Sequence, residues 1–160
     1  MDIHNKNFII TTSEKETLNL AEKIAKLIKP GDVISISGEL GTGKTCFVKG
    51  LAKGLGISQI VTSPSFVILK IYHNKIPLYH FDVYRLDKPF QLEDIGFNQF
   101  QYADGVTVIE WGNKMKELLA FDHLQVKFDY YENKKRKIKF IPHGESWVKK
   151  IKNLNLINSI

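Results

Sequence analysis

The stretch Gly38-Glu39-Leu40-Gly41-Thr42-Gly43-Lys44-Thr45 has the residue types and spacing needed to hold a row of phosphates. It satisfies the pattern G-x-x-x-x-G-K-[ST] at every fixed position. Glycines at 38, 41 and 43 let the backbone bend tightly, so that successive N–H groups can turn toward phosphate oxygens. Lys44 adds a point charge suited to β- and γ-phosphates, and the Thr45 hydroxyl is the expected ligand of a magnesium ion bridging the same oxygens. The motif needs a strand before it and a helix after it. Val33–Ser37 alternates as a strand, and Cys46–Ala52 has a helical pattern whose positive N-terminal end faces the loop. A glycine-rich turn before an ordinary helix is the plain alternative, but it does not explain lysine, threonine and both flanking elements together.

Such a loop needs a carboxylate at the end of a neighbouring strand to hold magnesium or its water. Two acids qualify. Glu110 ends the apolar run Val106-Thr107-Val108-Ile109, as a buried strand would deliver it, whereas Asp82 sits in His80-Phe81-Asp82-Val83-Tyr84-Arg85, which alternates like a half-exposed strand. A surface salt bridge to Arg85 is the plain reading of Asp82, and a helix-start charge before Gly112 that of Glu110. Two acids on separate strands are what metal-dependent hydrolysis requires, which favours a functional reading of both. Either can touch the metal directly.

The remaining reactive side chains point elsewhere. His80, beside Phe81 in a strand, reads as a hydrogen-bonded packing residue, and His4, His73, His123 and His143 lack zinc-ligand spacing. Cys46, the single cysteine, excludes an internal disulfide and reads as a small apolar side chain on its helix. Trp111 can stack on a base or a partner, or pack beneath the loop. The run Lys134-Lys135-Arg136-Lys137 reads first as a solvated hairpin tip.

The elements that must position these groups follow from pattern. Phe8–Thr11 reads as a first strand; Thr12 or Ser13 can cap a helix, with Glu16 three residues after Ser13 completing a capping box, and an apolar stripe from Leu18 to Ile28 continues until Pro30-Gly31 stops it. Strands are expected over Phe66–Tyr72 and Ile76–Tyr84 around His73-Asn74-Lys75, then a short helix and a turn at Gly96 within Pro89–Phe100. A second hairpin pairs Leu124–Tyr130 with Lys137–Ile141, and an amphipathic helix begins near Glu145. The expected fold class is α/β: one phosphate-loop NTPase-type domain over residues 1–160, with a mixed central sheet flanked by helices.

At 18.4 kDa, with 43% apolar and 25% charged residues, the chain suits a globular domain. No apolar run approaches a membrane span and Met1–Lys6 lacks a signal-peptide core, so a cytoplasmic location without membrane contact is expected. The net charge of +6 permits nucleic-acid contact, although Arg85 and Arg136 are the only arginines.

Taken in succession, Gly38–Thr45, Ser63-Pro64-Ser65-Phe66, Tyr79-His80-Phe81-Asp82-Val83-Tyr84-Arg85-Leu86 and Val108-Ile109-Glu110-Trp111 resemble the motifs of the TsaE (YjeE) family of bacterial ATPases. The resemblance implies a weak, Mg2+-dependent ATPase that supports threonylcarbamoylation of adenosine 37 in tRNAs reading codons that begin with A. Its partners would be the glycoprotease-fold proteins TsaD and TsaB, with tRNA reached through that complex. The resemblance implies that Glu39, Leu40, Gly41, Thr42, Gly43, Lys44, Thr45 and Cys46 hold ATP. Thr45, Glu110 and Asp82 then serve magnesium, Glu110, Asp82 and Lys44 serve catalysis, and Ser63–Phe66 forms a switch-like loop. A basic residue of the last hairpin would face the nucleotide, Arg136 first and Lys135 next; the run around it can then lie toward tRNA. Cys46, Ser65 and Gly112 stand where the family usually has threonine, threonine and proline. A small-molecule kinase and a nucleotide sensor without useful turnover are the rival functions; two arginines are few for clamping a phosphorylated acceptor.

Overall fold

A computed structural model describes residues 8–154; Met1–Lys6, and with them His4, lie outside the described residues. One seven-stranded sheet organises the chain. Its strands are β1 (Phe8–Thr11), β2 (Val33–Gly38), β3 (Leu69–Tyr72), β4 (Leu78–Asp82), β5 (Val106–Glu110), β6 (His123–Tyr131) and β7 (Lys135–His143), in the spatial order β1-β7-β6-β2-β5-β4-β3. β2 pairs in parallel with both β5 and β6, β4 pairs in parallel with β5, and the outer pairs β1–β7, β6–β7 and β3–β4 are antiparallel. This is the expected mixed α/β sheet. The central strands β2 and β5 are buried along nearly their whole length, the polar Ser35, Ser37 and Thr107 included.

Helices α1 (Glu14–Ala25), α2 (Lys44–Gly54) and α5 (Glu145–Asn153) supply the larger core, with Ile34, Ile36, Val108, Val126 and Phe140 beneath them. The short helices α3 (Pro89–Glu93) and α4 (Phe97–Gln101), with a 3-10 segment at Gly112–Leu118, enclose a second core around Phe81, Phe97, Ile109 and Met115. Helix α1 lies so close to α2 that a Cβ on Gly50 would sit 2.6 Å from Ala21 Cβ, and one on Gly54 2.5 Å from Ala25 Cβ. This contact fixes the helix that carries Lys44 and Thr45.

Several boundaries depart from the sequence reading. Phe66–Ile68 forms a turn, with Ile68 at φ 70°, so β3 begins only at Leu69. β4 is confined to Leu78–Asp82, inside the expected Ile76–Tyr84. α1 ends at Ala25, ahead of Pro30. Ser13 Oγ accepts the Glu16 N–H as a cap, but the Glu16 carboxylate reaches one residue further back, to the N–H and hydroxyl of Thr12. The first turn is closed by Thr12 and Ser13 together.

Candidate active site

The glycine-rich loop spans from the carboxyl end of β2 to the first residue of α2. At Gly38 the backbone has φ 144°, and a Cβ there would lie 2.6 Å from Phe128 O and 2.8 Å from Phe128 Cβ, so any side chain would collide with β6. Thr42 is buried, and its hydroxyl donates to Glu39 O at 2.6 Å, which ties the loop to itself. Lys44 Nζ donates to Gly38 O at 2.7 Å and to Glu39 O at 2.8 Å, and lies 4.2 Å from the centroid of the Trp111 ring. Burial pushes the Lys44 ammonium below the usual lysine pKa, while the charges of Glu110 and Asp82 pull it back up.

The two acids share one row of the sheet. β4 and β5 run parallel with Asp82 paired to Glu110, and both side chains are buried, at 5% and 2% exposure. The half-exposed strand expected around Asp82 is therefore incorrect: the larger core covers one side of β4, and Phe81 fills the second core on the other. Thr45 Oγ1 donates to Glu110 Oε1 at 2.8 Å. Glu110 Oε2 meets His80 Nε2 at 2.9 Å. Asp82 accepts the Tyr84 N–H at 2.9 Å and the Ser63 hydroxyl at 3.0 Å. It makes no ion pair with Arg85, whose guanidinium sits 4.2 Å from the Phe66 ring centroid. His80 is a buried, hydrogen-bonded residue as its strand position suggested, and its partner is Glu110.

Above these groups opens a cleft of about 500 Å³ whose lining includes Lys44, Thr45, Ser63, Asp82, Glu110 and Trp111. Ser65 and Phe66 line the same cleft, so the Ser63–Phe66 loop stands at its rim. Trp111, at φ 64° and half-buried, forms a wall with Tyr84, ring centroids 4.9 Å apart, and its ring also packs against Lys44 of the loop. Gly112 is buried where an added Cβ would overlap Ser35 Oγ, which gives a packing reason for glycine there.

On the other side of the loop a cavity of about 240 Å³ is bounded by Thr11, Thr12, Ser13, Gly41, Cys46 and Arg136. Glu14, Gly41, Gly43 and Cys46 line both spaces, so the two adjoin across the loop. Arg136 donates through Nε to Thr42 O and through Nη2 to Gly41 O, each at 3.2 Å, and its guanidinium lies 4.5 Å from the Tyr130 ring centroid. Tyr130 in turn donates to Leu40 O at 2.6 Å. The last hairpin thus grips the loop from above. Lys135, beside Arg136 on β7, belongs to the opposite face of the strand, whereas Lys134 lines the same cavity as Arg136.

Cys46 Sγ lies 3.6 Å from Glu14 O, and burial, with help from the Glu14 charge and against Lys49, raises its thiol pKa. Thr11, Thr12 and Ser13 line this cavity, although the sequence reading assigned them only to a strand end and a cap. The signal that finds them is the register Thr11↔Arg136, which exists only once β1 has paired with β7.

An α/β sheet with a phosphate-loop sequence at its central strand, and two buried acids beside that loop, defines the class of domain. The TsaE family model, described as threonylcarbamoyl adenosine biosynthesis protein TsaE, matches residues 11–138, and the chain belongs to this family. It is 40% identical over 138 residues to the tRNA threonylcarbamoyladenosine biosynthesis protein TsaE of Bacillus subtilis, covering 86% of each chain. The Treponema pallidum protein of the same name is 44% identical over 106 residues, 66% of this chain and 78% of that one. The crystal structure of Bacillus subtilis YdiB superposes with a TM-score of 0.83 at 33% identity, over 95% of both chains. Among the described residues no helix is long and apolar enough to cross a membrane.

Proposed function

We propose that this chain is an ATP-binding, weakly ATP-hydrolysing subunit that supports threonylcarbamoylation of adenosine 37 in tRNA, acting with TsaD-like and TsaB-like partners. Family membership supports the pathway; the observation that carries the enzymatic reading is the bond from Thr45 to Glu110 directly beneath the cleft. A hydroxyl that gives its hydrogen to a buried carboxylate keeps its lone pairs free for a metal. Glu110 therefore acts through Thr45, and the acid left to face the γ-phosphate and its water is Asp82, held by Ser63 and the Tyr84 N–H.

The residues fit a magnesium–nucleotide complex. Among the described residues no group of three or more His, Cys, Asp or Glu side chains converges to cage a metal alone. Magnesium prefers one or two protein oxygens plus substrate phosphates, which the Thr45 hydroxyl and the Asp82 carboxylate can offer, with Glu110 held behind Thr45. When bound, magnesium would neutralise developing charge on the phosphates. Lys44 supplies the counter-charge, the loop N–H groups hold phosphate oxygens, and the cavity bounded by Thr11, Ser13 and Arg136 takes the nucleoside. Phosphoryl transfer gains most from such positioning and charge stabilisation.

The experiment is phosphate release from ATP, measured with the chain alone and with its TsaD-like and TsaB-like partners and tRNA. The reading expects slow release alone and faster release in the complex. ATP binding with no release under either condition would identify a sensor instead.

A further inference from the structure

We infer that His80 is a positioning residue whose bond to Glu110 holds that carboxylate against Thr45; the inference rests on the reading of Glu110 as an acid of the ATP site. In the β4–β5 register His80 pairs with Val108, one side-chain step below Asp82↔Glu110 on the same face of the sheet. Its Nε2 therefore approaches Glu110 from the protein side, and Thr45 approaches from the loop side. Each carboxylate oxygen has one partner, at 2.8 and 2.9 Å, and the plane of the group is pinned from both ends.

Filling space does not explain an imidazole here. His80 is fully buried, and its Nδ1 has no hydrogen-bond partner among the described residues. An unpartnered buried polar atom is unfavourable, and a phenyl or isobutyl group would fill the same room without one. What the imidazole alone provides is a hydrogen on Nε2 for Glu110 Oε2. Without that donor, a carboxylate at 2% exposure would keep a single bond, and the nearby Lys44 charge, which already acts on Glu110, would compete with Thr45 for it. Groups that orient a metal's ligands in this way change metal affinity or activity by roughly 10- to 100-fold when lost.

The test uses the full chain with His80→Phe, His80→Leu and His80→Gln, the last placing an amide N–H near the position of Nε2. Melting temperature identifies which variants fold. ATP affinity with and without Mg2+, and the rate of phosphate release with partners present, are then measured beside Thr45→Ala and Glu110→Gln. The expected result is that the folded apolar variant binds metal-free ATP within about 2-fold of wild type. Its Mg2+-dependent gain in affinity and its kcat should fall by roughly 10-fold or more, and His80→Gln should recover most of the loss. The inference is overturned if a folded apolar variant keeps both Mg2+ response and kcat, or if His80→Gln folds and does no better than it. If Thr45→Ala and Glu110→Gln are also silent, the ATPase reading falls together with the inference. If they lose function and His80→Phe does not, the inference alone is wrong.

Discussion

Thr45 and Glu110, 65 residues apart in sequence, meet through a 2.8 Å hydrogen bond that joins the first turn of α2 to the end of β5. The loop side of the site and the acid side are thereby one unit. Removing the hydroxyl with Thr45→Ala should weaken ATP binding in the presence of Mg2+ by roughly 10-fold, within the range for groups around a metal, and leave metal-free binding nearly unchanged. Calorimetric titration with and without Mg2+ checks this; equal losses in both would contradict a metal role for Thr45.

Lys44→Ala should abolish measurable ATP affinity and leave the fold intact. Lys44 is buried, but its ammonium makes contacts local to the site, to the loop carbonyls of Gly38 and Glu39 and to the ring of Trp111, and none to the apolar core clusters. Unchanged affinity in a titration would contradict the phosphate-loop reading.

Gly50→Ala tests the α1–α2 contact. An added methyl would lie 2.6 Å from both Ala21 Cβ and Leu18 O, one of them backbone that cannot turn aside. Overpacking of this kind costs about 1–3 kcal/mol, and for a chain of this size each kcal/mol shifts Tm by about 2–4 °C. A thermal melt of the variant should therefore fall by several degrees; an unchanged melt would mean the helices separate freely.

The far end of the β6–β7 hairpin carries a pH response. His123 stacks on His143 with ring centroids 4.3 Å apart, and its Nδ1 meets Ala120 O at 2.8 Å. Burial first, and His143 second, hold its pKa below the ordinary 6.5, against the opposing pull of the Ala120 and Phe121 carbonyls and Asp122. A histidine depressed in the folded state is protonated more readily when unfolded. Its stabilising contribution is complete above about pH 6.5 and is lost as pH falls through the folded value. Melting temperatures from about pH 7.5 to 5 should drop more steeply for wild type than for His123→Asn. Parallel curves would remove His123 as the source.

The parts of the fold that were legible in sequence are those set by local pattern. The glycine-rich loop, the strand β5 and the cap at Ser13 each express a constraint within a few residues, and each stands where it was read. What was not legible depends on partners distant in the chain. Asp82 looks half-exposed because Tyr79, His80 and Tyr84 interrupt the apolar run, yet β5 and both cores enclose the strand. His80 gains its role only when Glu110 arrives beside it, and Thr11 and Arg136 meet only through β1–β7 pairing. The turn at Phe66–Ile68 replaces strand because Pro64 O accepts the Val67 and Ile68 N–H groups, an arrangement that residue propensity does not reveal.

The most direct test of the account is Glu110→Gln, which keeps the side chain's size and removes its charge. Metal-free ATP binding should remain comparable to wild type, while phosphate release in the presence of the TsaD-like and TsaB-like partners and tRNA falls by roughly 10- to 100-fold, the range for losing a group that orients a metal's ligand. Repeated tRNA modification should then stop after an initial round. Full multi-turnover modification by a variant that binds ATP but does not hydrolyse it would contradict the account.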